Sequence, residues 1–208
     1  MFRARAAGLQ QCLRASGFAL SLAAALTACA PAALQRGSAV SLSQTEASFE
    51  ISGRLSAHHG AAAFAGSFRW RHASERDELT LLSPTGQAVA LLSGDRQGVQ
   101  MQSSDGRIAT ASDWTALTER GLGWRLPVDG LAYWIQGAPR AGAPYTAEAA
   151  EGGRPSVLRQ DGWTIVYVDY APGPDAVSRP ARLTLSYPEV ELRLAVDSWQ
   201  TSSQTSPQ

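Results

Sequence analysis

Lysine is absent from the 208-residue chain: all 18 of its basic residues are arginine. This fits an alanine- and arginine-rich composition and carries no chemistry by itself. Long apolar runs are also missing. The longest, Ala15 to Leu26, falls short of the roughly 20 residues that span a bilayer. Three arginines (Arg3, Arg5, Arg14) precede that run and all 18 acids follow it, leaving 15 arginines against 18 acids beyond it. A domain with that balance is not a phosphate or nucleic-acid binder. Only His58, His59 and His72 offer imidazole chemistry. The first two lie in an expected hairpin connection with no cysteine or acid at ligand spacing, so they read as a solvent-exposed turn and no metal is expected. The sequence has no GxSxG, HExxH, phosphate loop or dinucleotide fingerprint, and its acids are scattered. A hydrolase built on His72 would need a nucleophile within hydrogen-bond reach, so the expectation is that the chain is not an enzyme and holds no cofactor.

The two cysteines, Cys12 and Cys29, are informative because of what precedes them. Arg3, Arg5 and Arg14, the apolar Ala15–Leu26 and the small Ala28 have the order of a secretory signal peptide over residues 1–28. Leu26, Thr27, Ala28 and Cys29 resemble the bacterial lipobox. That resemblance implies a thioether-linked diacylglycerol on Cys29, cleavage after Ala28 and acylation of the freed amine. Cys12 would leave with the leader, and an acylated Cys29 explains a lone exported cysteine better than a free thiol does. With three chains at about 0.8 kcal/mol per buried methylene the anchor is permanent. Ala30 stands where the lipoprotein pattern has an aspartate for inner-membrane retention, which implies the outer membrane. Residues 29–47 then form the lipidated N-terminus and a tether, Pro31–Thr45 being small and polar, with a random-coil reach of roughly 20 Å.

From Phe49 the pattern is alternating. Phe49, Ile51, Gly53 and Leu55 share one face, and Phe64, Gly66, Phe68 and Trp70 share another, which predicts two antiparallel strands. DELTLLS and QAVALLS follow around a Pro84–Gly86 turn, and GVQMQSS and RIATA around Asp105–Gly106. The period then changes. Ser112 is placed to cap a helix over 113–120 that Gly121 ends, and Pro127 opens a second through Gln136, with Leu131, Trp134 and Ile135 on one side. Strands resume as SVLRQ, WTIVYVDY, ARLTLSY and VELRLAVDSW, and the tail 201–208 is expected to be disordered. The fold class is mainly β: an incomplete antiparallel barrel of about 9–11 strands over 48–200, with helices covering it because an apolar sheet face must be buried. Six tryptophans (Trp70, Trp114, Trp124, Trp134, Trp163, Trp199) suit either an ordinary core or an apolar cavity.

Five ordered blocks carry a family resemblance. They are F-x-W at Phe68 and Trp70, D-x-L-x-L-x-S-P-x-G over Asp77–Gly86, W-I-x-G-x-P over Trp134–Pro139, G-W-x-x-x-Y at Gly162–Tyr167, and D-x-W at Asp197 and Trp199. Together they resemble the LolB family of outer-membrane lipoprotein receptors. The resemblance implies a hydrophobic cavity under a helical lid that accepts the acyl chains of lipoprotein cargo from a soluble LolA-like periplasmic carrier and delivers them to the outer membrane, without bond-breaking. It assigns the cavity and lid to Phe68, Trp70, Leu79, Leu81, Met101, Trp114, Leu117, Leu131, Trp134, Ile135 and Tyr167. It assigns membrane delivery to the loop Pro84, Thr85, Gly86, and it implies a monomeric domain facing the periplasm. The sequence departs from the family at Thr85, where a leucine is typical. Either a neighbour such as Leu82 or Val89 substitutes, or insertion works differently. The alternative reading is an anchored β-domain scaffold that binds a protein partner in the envelope.

Overall fold

The computed structural model describes residues 40–74, 76–173 and 176–201. The expected signal peptide, the lipidation site Cys29 and the tail beyond Thr201 lie outside the described residues. All of these described residues belong to the unit Gly37–Gln208.

The described residues form eleven strands, most of them on alternating apolar and polar side chains: β1 Ser48–His59, β2 Ala62–Ala73, β3 Arg76–Leu82, β4 Ala88–Asp95, β5 Gly98–Ser103, β6 Ile108–Ala111, β7 Tyr145–Ala149, β8 Pro155–Gln160, β9 Trp163–Pro172, β10 Ser178–Tyr187 and β11 Val190–Thr201. All pair antiparallel in one sheet of order β6-β5-β4-β3-β2-β1-β11-β10-β9-β8-β7. The first six strands form one meander and the last five another, and β11 joins the halves by pairing with β1, Leu55 opposite Leu194. The outermost strands, β6 and β7, do not pair with each other, so the barrel is incomplete.

Those two edges are also the ends of the helical connection. Helix α1 (Trp114–Leu122) and helix α2 (Val128–Trp134) lie between β6 and β7 in sequence, so the chain must cross the gap to resume the sheet. It does so over the concave face: Leu126, Val128 and Leu131 meet Leu55, Phe68, Trp70, Leu79 and Leu194 of the strands. The Arg120 guanidinium donates to the carbonyl of Thr110 on β6 at 2.7 Å, which occupies one acceptor of an otherwise open edge.

Several boundaries differ from the sequence reading. Asp113 rather than Ser112 is the N-cap of α1, accepting from the N–H of Ala116 at 2.8 Å, while Ser112 donates to the Asp113 carboxylate at 3.0 Å. The helix runs past Gly121 and stops at Gly123, whose left-handed φ of 83° lets its N–H reach Glu119 O. Gly121 stays inside the helix because a Cβ there would collide with the Met101 methyl at 1.9 Å. Close approach outweighs the helix propensity lost to glycine, about 1 kcal/mol. Helix α2 spans fewer residues than the expected 127–136. His58 and His59 belong to β1 instead of a loop, the turn being Gly60–Ala61, and the His59 ring contacts Gly123 O at 2.8 Å. Strand β7, short and with Tyr145 exposed, has no alternating apolar signal to announce it.

The Asp113 cap gives a pH-dependent expectation. Its carboxyl sits below the usual carboxylate range, chiefly through the Ala116 N–H and then the Ser112 hydroxyl. A depressed folded value stabilises above the unfolded value, about 3.9, and that contribution is lost as the pH falls through the folded value. Asp113→Ala should cost about 1 kcal/mol at neutral pH. In urea denaturation the gap from the wild type should close below about pH 3.9.

Candidate functional site

The residues assigned to a cavity and lid come together. Phe68, Trp70, Leu79, Leu81, Met101, Trp114, Leu117, Leu131, Trp134, Ile135 and Tyr167 are all buried in one apolar cluster. The strands supply one wall and the helices the other. Where they meet, a seam lined only by Leu55, Phe68, Trp70, Leu79, Leu126, Val128, Leu131 and Leu194 encloses about 10 Å³, room for about one water-sized sphere. The hollow expected from the sequence is therefore closed in this conformation, because large side chains from both walls interdigitate and fill it. Gly130 contributes to that fit: a Cβ there would lie 2.5 Å from the Trp134 indole, so the ring packs back along its own helix.

Buried polar side chains pin this lid, and sequence reasoning found none of their pairings. Thr118 donates to Trp114 O at 2.8 Å and accepts from Leu126 N at 3.0 Å, tying α1 to the approach of α2. The Trp134 indole N–H donates to Gln160 Oε1 at 2.8 Å. That oxygen also accepts from Arg140 N at 2.7 Å, while the Gln160 amide donates to Arg140 O at 2.8 Å. Tyr167 donates to Trp134 O at 3.0 Å. Burial, and then the neighbouring Tyr170, push its hydroxyl well above its usual range, so it remains a donor. On the sheet, Trp70 donates to Asp77 Oδ1 at 2.7 Å, and the His72 Nδ1 lies 2.8 Å from the same oxygen. His72 also stacks on Phe49 at 5.0 Å. These are the ways a buried polar atom avoids an unpaired desolvation cost of about 1–3 kcal/mol, and in them Asp77 bonds a core tryptophan and shares the same oxygen with His72. Thr118, Gln136 and Gln160 read as ordinary polar residues in sequence, and only their near-complete burial marks them.

Pro84, Thr85 and Gly86 sit exposed at the tip of the β3–β4 connection. Ser83 N donates to Gln87 O at 2.8 Å and Gly86 N to Ser83 O at 2.9 Å, and the Thr85 hydroxyl pairs with Ser83 Oγ at 2.8 Å. Leu82 and Val89, the neighbours weighed as substitutes, are half-buried. Two larger clefts lie away from the seam. One, of about 670 Å³, is lined by Trp114 and Trp134 of the assigned set together with Trp163 and the polar Asp77, Asp129, Arg140 and Asp161. The other, of about 720 Å³, crosses the outer face of the sheet past Arg54, Arg182 and Arg193. Each of those three arginines pairs with an acid, Asp197, Asp169 and Glu191 respectively. Among the described residues no group of three or more His, Cys, Asp or Glu side chains gathers to hold a metal.

Residues 47–199 match the family model described as "Outer membrane lipoprotein LolB". The outer-membrane lipoprotein LolB of Thiobacillus denitrificans is 38% identical over 182 residues, covering 88% of this chain and 95% of that protein. Its counterpart in Nitrosomonas europaea is 37% identical over 153 residues, covering 73% of this chain and 72% of that protein. Among solved structures, a LolA superfamily protein from Nitrosomonas europaea is 10% identical with a TM-score of 0.48, covering 75% of this chain and 86% of that one.

Two substitutions separate the packing of Trp134 from its hydrogen bond. Trp134→Ala should cost about 3–5 kcal/mol in urea denaturation. Trp134→Phe, which keeps a ring but loses the donor to Gln160, should cost roughly 1–2 kcal/mol. Equal costs for both would mean that the indole N–H contributes the whole effect.

Proposed function

The chain belongs to the LolB family of outer-membrane lipoproteins, and from that premise we propose that it receives acylated lipoproteins from a soluble periplasmic carrier and passes them into the outer membrane. In this reading Cys29 carries the diacylglycerol and the N-acyl chain, the barrel faces the periplasm as a monomer, and α1 with α2 is the lid over the acyl-binding space. The reaction is a transfer between similar surroundings and needs no cofactor. Burying an acyl chain of about 14 methylenes stabilises by roughly 11 kcal/mol at about 0.8 kcal/mol each, so release through water would be too slow. Chains must pass directly from one apolar interior to another, and a bias of about 1.4 kcal/mol already gives tenfold directionality.

The observation that carries the reading is the all-apolar seam between α2 and the sheet. Leu126, Val128 and Leu131 on one side face leucines, Phe68 and Trp70 on the other, so the seam itself is held by apolar contact alone, and a hydrocarbon chain entering it would replace the contacts that the walls lose to each other. Phe68, Trp70, Leu79 and Leu131 would touch the chain directly. Leu81, Met101, Trp114, Leu117, Trp134, Ile135 and Tyr167 would set the spacing of the walls. Delivery would fall to Pro84–Gly86, whose tip in this chain is the polar Thr85.

The closed state of the seam is also what favours the alternative, an anchored scaffold with a permanently packed interior. Uptake of a fluorescent fatty acid separates the two, since a scaffold excludes it. Adding the protein to carrier-bound lipoprotein should draw the cargo off the carrier, and Ile135→Asp should weaken that uptake. Cargo that stays on a competent carrier would overturn the proposal. Thr85→Leu is expected to speed cargo insertion into phospholipid vesicles while leaving uptake from the carrier unchanged. An unaltered insertion rate would take the loop out of the delivery step.

A further inference from the structure

The segment between the lipidation site and the barrel does not run free up to its first strand. Residues 40–47, assigned to a tether by sequence, are laid along the domain, ending where Ala47 O accepts from Ser74 N at 2.6 Å. Ser41 N donates to Gly153 O in the β7–β8 turn at 2.7 Å. Ser43 lies against Gly137, where a Cβ would approach the serine hydroxyl to 3.2 Å and where the backbone has a positive φ of 79°. Glu46 then meets the end of the lid. Its N–H donates to Gln136 Oε1 at 2.7 Å, and its carbonyl accepts from Gln136 Nε2 at 3.3 Å.

Gln136 is 2% exposed and stands just beyond α2. Its amide nitrogen also donates to Ala132 O inside that helix at 2.8 Å. One side chain thus satisfies a helical carbonyl and both backbone groups of Glu46. The Glu46 carboxylate is held in turn by Arg179 of β10, whose guanidinium lies 4.9 Å over the Trp199 ring. A chain of contacts therefore runs from the sheet (Trp199, Arg179) through the strap (Glu46) to the lid (Gln136, Ala132). At the opposite end of α2, Pro127 makes no side-chain cap, so the C-terminal end is where the helix is tied to a segment outside the lid.

We propose that residues 40–47 act as a strap that holds the lid helix α2 shut, with Gln136 as the positioning residue through which the strap acts. The inference rests on the acyl-acceptor reading only in naming α2 a lid. Opening the seam requires the end of α2 to move from the sheet, and that movement breaks the paired Glu46–Gln136 bonds. The strap is also the part of the described chain nearest in sequence to Cys29. Whatever restrains the tether at the membrane therefore bears first on the residues that seat the lid.

The test uses the full lipidated chain in detergent micelles and reads backbone hydrogen exchange, which needs no ligand. Gln136→Leu keeps a side chain of similar volume and removes the amide. Glu46→Pro removes the N–H and the carboxylate from the other partner. Each is expected to speed exchange at residues 131–137 by about tenfold and to leave 79–92 in β3 and β4 unchanged. The double variant should exchange more slowly than the two single effects combined would give, because both break the same Glu46–Gln136 coupling. Additive effects, unchanged exchange in α2, or equal acceleration throughout the sheet would overturn the strap. If Glu46→Pro does not fold, Glu46→Ala, which releases Arg179 alone, should give a smaller acceleration confined to the same residues, and none would count against the proposal. In parallel, a fluorescent fatty acid should enter both variants faster than the wild type. A probe that enters no form would reject the acyl-binding reading, and the exchange rates at 131–137 would then decide for or against the strap by themselves.

Discussion

An antiparallel sheet that curls but does not close leaves one requirement unmet: its concave face is apolar and something must cover it. The topology answers this within a single chain. Because β6 and β7 are the outer strands of the two meanders, the connection between them has to bridge the opening, and a connection with an apolar stripe buries it where the sheet needs cover. Position and burial both follow. The cover is attached at its ends and by side-chain contacts, outside the sheet's hydrogen-bond ladder.

Two kinds of contact hold that cover, and they differ in how they tolerate opening. The apolar seam of Leu126, Val128 and Leu131 against Phe68, Trp70 and Leu79 is non-directional and specifies no single geometry. The polar pins are directional. Trp134 to Gln160, Tyr167 to Trp134 O and Gln136 to Glu46 each specify one seated geometry and are lost or exchanged for water when the helix moves. The closed state is thus defined by a few hydrogen bonds laid over a permissive apolar contact.

Much of this is legible in the sequence where the signal is local. Strict alternation in Val190, Leu192, Leu194 and Val196 predicts β11, and the i, i+3, i+4 spacing of Leu131, Trp134 and Ile135 predicts the buried stripe of α2. Ten of the eleven strands announce themselves in that way. β7 does not, because Tyr145–Ala149 repeats no large apolar side chain and its side chains are mostly exposed. The cap of α1 lies one residue beyond its expected place because Ser112 and Asp113 are both good N-caps, and only backbone geometry shows which carboxylate or hydroxyl reaches Ala116. The eleven residues assigned by family resemblance do come together in the core, but no pattern could tell whether they surround a hollow or fill it.

The elements and their apolar faces follow from local sequence alone, since both depend on neighbours within a few positions along the chain. The sequence also carries the Leu26–Cys29 segment that resembles a lipobox and the blocks that place the chain in its family. Tertiary structure alone decided the seating of the lid. Gln136 and Glu46 are 90 positions apart, and Trp134 and Gln160 are 26 apart. A glutamine bonded at that range looks in sequence like any exposed polar residue. What distinguishes it is the closing of the fold around it, which removes water and leaves the amide its partners in the protein.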